Sequence, residues 1–286
     1  MIQLPLITPE SKWRPPTEYP DLSNEKELSW DLETKDPNLK TKGPGWSRDD
    51  GHIVGIGVAT RDRSWYFPIR HGAGGNMDAK MTLRWAADLW KLDTTKVMFQ
   101  GLYDAGWMLS EGMTMGGSII DPLAAAVMVN ENRFNYRMDT LLRAYDLPLK
   151  DEELLSAVAK AWGLDKKSGL HEFHGHQVGP YGEWDPVCNW NLWDKLRPTL
   201  EAEGTMDIFN LEMELYPAWI DMTHRGIRID ELWVEESLET VNKELKEIMN
   251  RLGGINIRSA VDIAKVLTES GIRVPKTKTK KPSVTS

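Results

Sequence analysis

Two carboxylates stand two positions apart near the end of an apolar segment. Residues 27–33 read Glu-Leu-Ser-Trp-Asp-Leu-Glu and predict a β-strand that carries Asp31 and Glu33. Side chains two apart in a strand point to the same face, so these carboxylates repel each other unless a cation joins them. The alternative is an edge strand with solvated acids. The pair therefore indicates a metal site only if further ligands come from elsewhere in the chain.

Two later segments supply candidate ligands. Asp104 follows the apolar residues 97–99 and lies where a predicted strand gives way to a helix, a place where the helix dipole by itself favours an acid. Tyr181 and Asp185 are four residues apart, which places a phenol and a carboxylate on one face of a helix. Each segment is common by itself. Together, and in this order, they form a specific set of three acidic motifs with a tyrosine in the third.

This set resembles the three exonuclease motifs of the DEDD superfamily, and more closely the 3′–5′ proofreading domain of family A DNA polymerases, particularly phage forms. The resemblance covers about residues 25–286. Residues 121–128 resemble the segment after the second motif, and residues 138–145 resemble the LD-x-L helix of the family. Residues 212–230 resemble the bridge that leads into a polymerase thumb.

The resemblance implies hydrolysis of phosphodiesters with two divalent cations, Mg²⁺ or Mn²⁺, which prefer hard oxygen ligands. It implies that Asp31 bridges both ions and that Asp104 holds the second one, through water. It implies that Glu33 and Asp185 complete the site that activates water, and that Tyr181 orients the attacking water. It also implies that three residues contact the nucleic acid: Thr34, Gln100 and Tyr103.

Two positions depart from the family pattern. Gln100 stands four residues before Asp104, where the family usually has Asn, so a contact to substrate or backbone is expected to shift by one methylene. Pro186 follows Asp185 directly, and proline disfavours the α conformation of the preceding residue. We therefore expect a kink in the turn from Tyr181 to Asp185.

The elements that must position these residues follow from hydrophobic periodicity. Three strands, with a hairpin formed by the second and third, precede a helix, a strand, a helix, another strand and then several helices, which indicates an α/β fold with a mixed sheet. The resemblance adds a ribonuclease H-like arrangement with flanking helices and a helical thumb-like extension. We expect an extended proline-rich arm over residues 1–24, an exonuclease domain over 25–205 and a helical bridge with a partial thumb over 206–286.

The last segment has its own local signals. Pro217 should kink a helix over residues 207–223, Ser259 can cap a final helix, and Gly271 can stop it. The tail from residue 271 holds five basic residues and no acidic ones, so we expect it to be mobile and to touch duplex as part of a thumb. The chain stops before any polymerase palm or fingers motif, so we expect either a fragment or a stand-alone exonuclease without polymerase activity.

Composition limits the function classes. The formal net charge of the 286 residues is -8, which argues against binding nucleic acid through a general basic surface but not against a site that meets phosphates through bound cations. A single cysteine, Cys188, excludes an internal disulfide and favours a reducing, intracellular setting. Neither a signal peptide nor a membrane span is predicted. We expect a monomer in the cytoplasm of a phage-infected bacterium.

Three functions stay open on the sequence. The first is an active 3′–5′ DNA exonuclease that acts on a single-stranded or frayed DNA 3′ end, with a polymerase module in the same or another chain. The others are a non-catalytic DNA-binding or scaffold domain of a polymerase, and an RNA-trimming exonuclease of the same superfamily. A zinc site at His171, His174 and His176 is a weaker alternative, because their spacing is not that of a helical zinc motif.

Overall fold

A computed structural model describes residues 8–277 and 283. The chain forms two compact units, one ending at Gly226 and one beginning at Ile227. The domain boundaries expected after residues 24 and 205 stay predictions. None of the helices in the described ranges is long and apolar enough to cross a membrane.

A five-stranded mixed sheet organises the first unit. Its order is β3-β2-β1-β4-β5; β1, β2 and β3 pair antiparallel, and β4 and β5 run parallel to β1. The predicted mixed sheet and its initial hairpin are confirmed. The strands are β1 Glu27–Lys35, β2 His52–Ala59, β3 Ser64–Pro68, β4 Thr95–Val97 and β5 Ile119–Ile120.

Helices flank this sheet and form the second unit. Two short 3-10 helices, at Gly45–Arg48 and Leu170–Glu172, connect elements of the first unit. The α-helices are α1 Leu39–Lys42, α2 Ala79–Trp90, α3 Gly101–Ser110, α4 Pro122–Val129, α5 Met138–Ala144, α6 Glu153–Trp162, α7 Gly175–Ala202, α8 Met206–Glu214, α9 Tyr216–Arg225, α10 Glu231–Arg251 and α11 Ala260–Glu269.

The central strand β1 has two different faces. Leu28, Trp30 and Leu32 are buried on one face, where Trp30 meets Trp90 of α2 edge to face at 5.3 Å between ring centroids. The other face carries Ser29, Asp31 and Glu33 toward α7; the Ser29 hydroxyl donates to the Pro186 carbonyl at 2.7 Å. The two-residue period of a strand therefore directs the polar side chains of β1 at one helix.

Helix α7 is 28 residues long and runs unbroken through Pro180, Pro186 and Pro198. The turn from Tyr181 to Asp185 is thus helical, and the kink expected there stays a prediction. A side chain at Gly57 of β2 would meet the Gly182 carbonyl oxygen at 2.5 Å, so the helix and the sheet approach closely beside Pro186.

The prediction for residues 207–223 is confirmed in a stronger form. Helix α8 ends at Glu214 and α9 begins at Tyr216, so the chain breaks into two helices just before Pro217. Phe209 of α8 stacks on Trp193 of α7 at 5.2 Å between ring centroids. Both helices belong to the unit that contains the sheet.

The second unit contains α10 and α11. Every residue of α10 is at least partly exposed. The Ser259 hydroxyl accepts the backbone N–H of Asp262 at the start of α11, and Gly271, with φ +79°, follows its end. The predicted cap and stop are confirmed. Of the basic tail residues, Lys278, Lys280 and Lys281 lie outside the described residues.

Candidate active site

Two carboxylates of the site come from the middle of β1. Asp31 pairs with Gly57 of β2 and Glu33 with Gly55, so the neighbouring positions on the sheet carry no side chains. The strand register shifts between Glu33 and Thr34, which marks a β-bulge directly after the second acid. Strand alternation and the missing neighbours leave both carboxylates free to face α7.

Helix α7 supplies the third carboxylate. The ligand oxygens of Asp31, Glu33 and Asp185 all lie within 4.8 Å of one another. Tyr181 precedes Asp185 by one helical turn, and the two side chains lie on the same face. Among the described residues, this is the one place where three His, Cys, Asp or Glu side chains converge in this way.

Asp104 lies in the first turn of α3 and is 5% exposed. Burial raises its pKa well above the usual value, and the negative charges of Asp31 and Glu33 raise it further. Asp104 lies outside the group of three converging carboxylates. The structure therefore brings together three of the four acids that the sequence singled out.

The site is electrostatically strained without a cation. Burial raises the pKa values of Asp31 and Glu33 well above the usual range, and their acidic neighbours act in the same direction. Burial also raises the pKa of Asp185. The pKa of the Tyr181 phenol is raised well above 10.0 by burial and then by the Asp185 charge. A bound cation would relieve this repulsion, and Tyr181 stays protonated at neutral pH.

Lys150 is a member of the site that sequence reasoning missed. It lies in the connection between α5 and α6, and its ammonium group forms an ion pair with the Asp185 carboxylate. Its positive charge lowers the pKa values of Asp31, Glu33 and Asp185 against the effect of burial. Residues 148–153 read Pro-Leu-Lys-Asp-Glu-Glu, an ordinary charged loop in which spacing gives no signal for such a contact.

Asp121 also has a role that the sequence analysis did not assign. Its buried carboxylate accepts backbone N–H groups from Gln100, Gly101 and Leu123 and contacts the Tyr216 hydroxyl. Gln100 adopts a left-handed conformation, with φ +62°, at the start of α3. The Gln100 backbone, and not its side chain, therefore makes the described contact. An Asp before Pro at a helix start was the available signal, since it is typical of an N-cap.

Two of the three residues expected to contact nucleic acid lie against each other. The Thr34 and Tyr103 hydroxyls lie 2.8 Å apart, and Tyr103 donates to Asp36 at 3.0 Å. Both residues are sequence neighbours of motif acids, since Thr34 follows Glu33 and Tyr103 precedes Asp104. The structure joins these two residues and places Gln100 about one turn from Tyr103, at the start of α3.

Among the described residues, the three histidines of the zinc alternative form no converging metal group. His171 lies in the 3-10 helix Leu170–Glu172, and His174 and His176 lie at the start of α7, which begins at Gly175. The His174 ring accepts the backbone N–H of His176 at 3.2 Å, and the Gln177 side chain returns to the His174 backbone. This capping box uses histidine in a place usually held by Ser, Thr, Asp or Asn, which is why local rules missed it.

The donor set fits a hard divalent cation. All of its members are carboxylates, the ligand type that Mg²⁺ and Mn²⁺ prefer. Asp185 Oδ1 is buried and contacts the Lys150 ammonium, which shows that this oxygen accepts a cationic partner. Because their oxygens converge within 4.8 Å, Asp31, Glu33 and Asp185 can hold a metal ion.

Known proteins of similar sequence come from phages. No protein-family model matches the chain. A DNA-directed DNA polymerase of Pseudomonas phage M6 is 28% identical over 304 aligned positions, which cover 99% of this chain and 45% of that polymerase. DNA polymerase DpoZ of Acinetobacter phage SH-Ab 15497 is 24% identical, over 84% of this chain and 38% of its own length. The chain thus spans less than half the length of these relatives.

Solved structures share the fold. The POL domain of Pol1 from M. smegmatis, in complex with DNA primer-template and dNTP, matches with a TM-score of 0.57 and 15% identity, over 91% of this chain and 40% of that one. Brucella melitensis NrnC with bound Mg²⁺ matches with a TM-score of 0.51 and 14% identity, over 72% and 89%. An apo nuclease matches with a TM-score of 0.52 and 13% identity, over 71% and 86%.

The chain is similar to phage DNA polymerases and shares its fold with nucleases of known structure. The resemblance inferred from the three motifs is thereby confirmed. The ribonuclease H-like sheet with flanking helices is confirmed by the same neighbours and by the strand order. The acids of the three motifs lie on β1, in the first turn of α3 and in α7.

Proposed function

We propose that the chain is a metal-dependent 3′–5′ DNA exonuclease that releases 5′-mononucleotides and acts as the proofreading part of a phage DNA polymerase. The observation that carries the proposal is the convergence of Asp31, Glu33 and Asp185, whose ligand oxygens lie within 4.8 Å of one another. The phage polymerase relatives and the Mg²⁺ named for NrnC support the substrate class and the metal. A single chain acting in the cytoplasm of the infected host completes the proposal.

The chain's residues divide the work. Asp31, Glu33 and Asp185 hold one or two divalent cations, Mg²⁺ or Mn²⁺, and Asp104 supports the second. When bound, such cations stabilise the attacking and leaving oxygens of the phosphodiester. Tyr181 orients the attacking water through its hydroxyl. Its raised pKa keeps the phenol protonated at neutral pH, so it does not act as a base.

The residues beside the acids position the nucleic acid. The hydroxyls of Tyr103 and Thr34 contact each other, and we assign these two residues to the DNA 3′ end. We assign Gln100 to the same DNA strand, because Asp121 accepts its backbone N–H and thereby fixes the turn that contains it. A frayed or single-stranded 3′ end fits this assignment, because the described contacts surround a small set of carboxylates and not a broad basic surface.

A labelled single strand of DNA tests the proposal. With Mg²⁺, a 5′-labelled strand should shorten as a ladder from its 3′ end, and EDTA should stop the reaction. Asp31→Asn should reduce the rate at least about a hundredfold, because it removes charge from the cation ligands. Asp194→Asn is the matched control, since the Asp194 side chain is 57% exposed and pairs with Arg61.

Three outcomes would contradict the proposal. Cleavage that survives in Asp31→Asn would exclude the assigned site. DNA binding without cleavage, with either Mg²⁺ or Mn²⁺, would favour the non-catalytic scaffold. A matched RNA strand that is degraded faster than DNA would favour the RNA-trimming exonuclease.

A further inference from the structure

A lysine reaches into the acidic site from a connecting segment. Lys150 lies between α5 and α6, outside any helix or strand, yet its side chain is only 11% exposed. Its ammonium group contacts Asp185 and lies 5.1 Å from the centroid of the Tyr181 ring. One flexible side chain thus touches both functional groups that α7 contributes.

The charge of Lys150 is opposite to that of the cluster it enters. Asp31, Glu33 and Asp185 bring three carboxylates together within 4.8 Å. Burial of carboxylates without compensation is costly, so a nearby ammonium stabilises their charged forms. In the metal-free protein Lys150 therefore does part of what a metal ion would do.

The contact between Lys150 and Asp185 is of a replaceable kind. It is an ion pair to one carboxylate oxygen, made by a side chain whose residue lies outside any helix or strand. An ammonium group and a divalent cation at the same oxygen would repel each other strongly in a buried site. The lysine side chain has a flexible four-carbon stem, so its ammonium group can move away from Asp185 without a change in α7.

We propose that Lys150 is a built-in counter-cation that holds Asp185 and Tyr181 in place before metal binds and is displaced from Asp185 by the divalent cation. This inference rests on the metal site of the proposed function and adds a regulatory element to it. Lys150 weakens metal binding and thereby sets the cation concentration at which the site loads. Before metal binds, Lys150 reduces the electrostatic repulsion among the three carboxylates.

Metal binding without DNA tests this directly. Mn²⁺ titrations followed by electron paramagnetic resonance give the dissociation constant for wild type and Lys150→Met. The variant should bind Mn²⁺ at least about tenfold more tightly, because a competing positive charge is gone. Its metal-free melting temperature should fall, and the gain in melting temperature on adding Mn²⁺ should exceed that of wild type.

Two further variants keep the test decisive. Lys91→Met changes the net charge equally at an exposed position, where Lys91 pairs with Asp88, and should bind Mn²⁺ like wild type. Lys150→Arg keeps the charge and should bind Mn²⁺ no more tightly than wild type, which remains measurable if Lys150→Met does not fold. Tighter binding by Lys150→Arg, or equal or weaker binding by Lys150→Met, would overturn the inference.

The results distinguish a failure of the counter-cation role from a failure of the proposed exonuclease function. If wild type binds Mn²⁺ and Lys150→Met binds it more tightly, but no DNA is cut, only the exonuclease proposal fails. If both bind Mn²⁺ equally and wild type degrades DNA, only the counter-cation role fails. If neither protein binds Mn²⁺, both fail.

Discussion

The Tyr216 hydroxyl contacts the buried Asp121 carboxylate, which in turn holds the turn that precedes Asp104. Tyr216 begins α9, whereas Asp121 lies 95 residues earlier at the start of α4. A helix far along the chain thus supports the second acidic motif. The bridge-like segment is, in this protein, part of the support of the candidate active site.

Tyr216→Phe should destabilise the first unit. The change removes one donor to a buried carboxylate and leaves the N–H groups of Gln100, Gly101 and Leu123 as its partners. Because the acceptor is charged, the free energy of unfolding should fall by about 1.5–3 kcal/mol, measured by denaturant titration. Tyr19→Phe, whose hydroxyl meets the neutral Thr82, is the matched control and should cost about 0.5–1.5 kcal/mol. Equal losses would show that the charge of Asp121 is unimportant.

Gly57→Ala should loosen α7 against the sheet. The new methyl group would lie 2.5 Å from the Gly182 carbonyl oxygen and 3.2 Å from Pro186 Cδ, so the helix must move. We expect about 1–3 kcal/mol of destabilisation and weaker Mn²⁺ binding, because the same helix carries Asp185. Calorimetric unfolding and metal titration measure the two effects.

Gly101→Ala is the control for Gly57→Ala. Its new methyl group would lie 3.1 Å from Met98 Cβ, a milder overlap than the 2.5 Å contact at Gly57, so a small shift relieves it. Stability should stay within about 1 kcal/mol of wild type, since alanine also favours a helix. If Gly101→Ala proves as damaging as Gly57→Ala, the contact with the Gly182 backbone is not the cause.

The stability of the protein should depend on His71 between pH 6.5 and 3. Burial lowers the pKa of His71 from 6.5 to about 3, and its Nε2 lies 2.7 Å from the Tyr66 hydroxyl. Below pH 6.5 the unfolded chain binds a proton that the folded protein does not, so the free energy of unfolding falls as pH falls. The contribution is about 1.4 kcal/mol per pH unit inside this window.

His71→Gln isolates this effect, because other titrating groups contribute equally to both proteins. Denaturant titrations at pH 7, 6 and 5 give the free energy of unfolding of both proteins. As pH falls, this free energy should fall more for wild type than for His71→Gln. Parallel pH profiles for the two proteins would rule out a neutral buried His71.

Tyr181→Phe should separate metal binding from the reaction rate. The phenol orients water in the proposed mechanism but is not among the three carboxylates that converge. Mn²⁺ affinity should therefore remain, while single-turnover exonuclease rates fall by up to about a hundredfold. Tyr136→Phe, whose hydroxyl donates to the Asn130 carbonyl, should leave both unchanged. Loss of metal affinity in Tyr181→Phe would indicate a structural role at Asp185 instead.

Much of the site could be predicted from short-range rules. The two-residue period of a strand places Asp31 and Glu33 on one face, and the helical repeat does the same for Tyr181 and Asp185. The strand-to-helix change before Asp104 and the cap at Ser259 are equally local signals. Each depends on residues within about one turn or one strand, so one sequence suffices.

The remaining features depend on contacts between distant segments. The close approach of Gly182 of α7 to Gly57 of β2 joins two segments that are far apart in the sequence. Neither the Lys150–Asp185 ion pair nor the Tyr216–Asp121 contact has a spacing that could reveal it, because 35 and 95 residues separate the partners.

By itself, the sequence determined which acids share a face and which family of nucleases they resemble. Only the tertiary structure decided that the carboxylates of β1 and α7 converge within 4.8 Å and that a lysine contacts one of them. The reason is physical. Backbone periodicity is set by neighbours along the chain, whereas the distance between buried charges is set by how sheet, helix and connecting loop pack together.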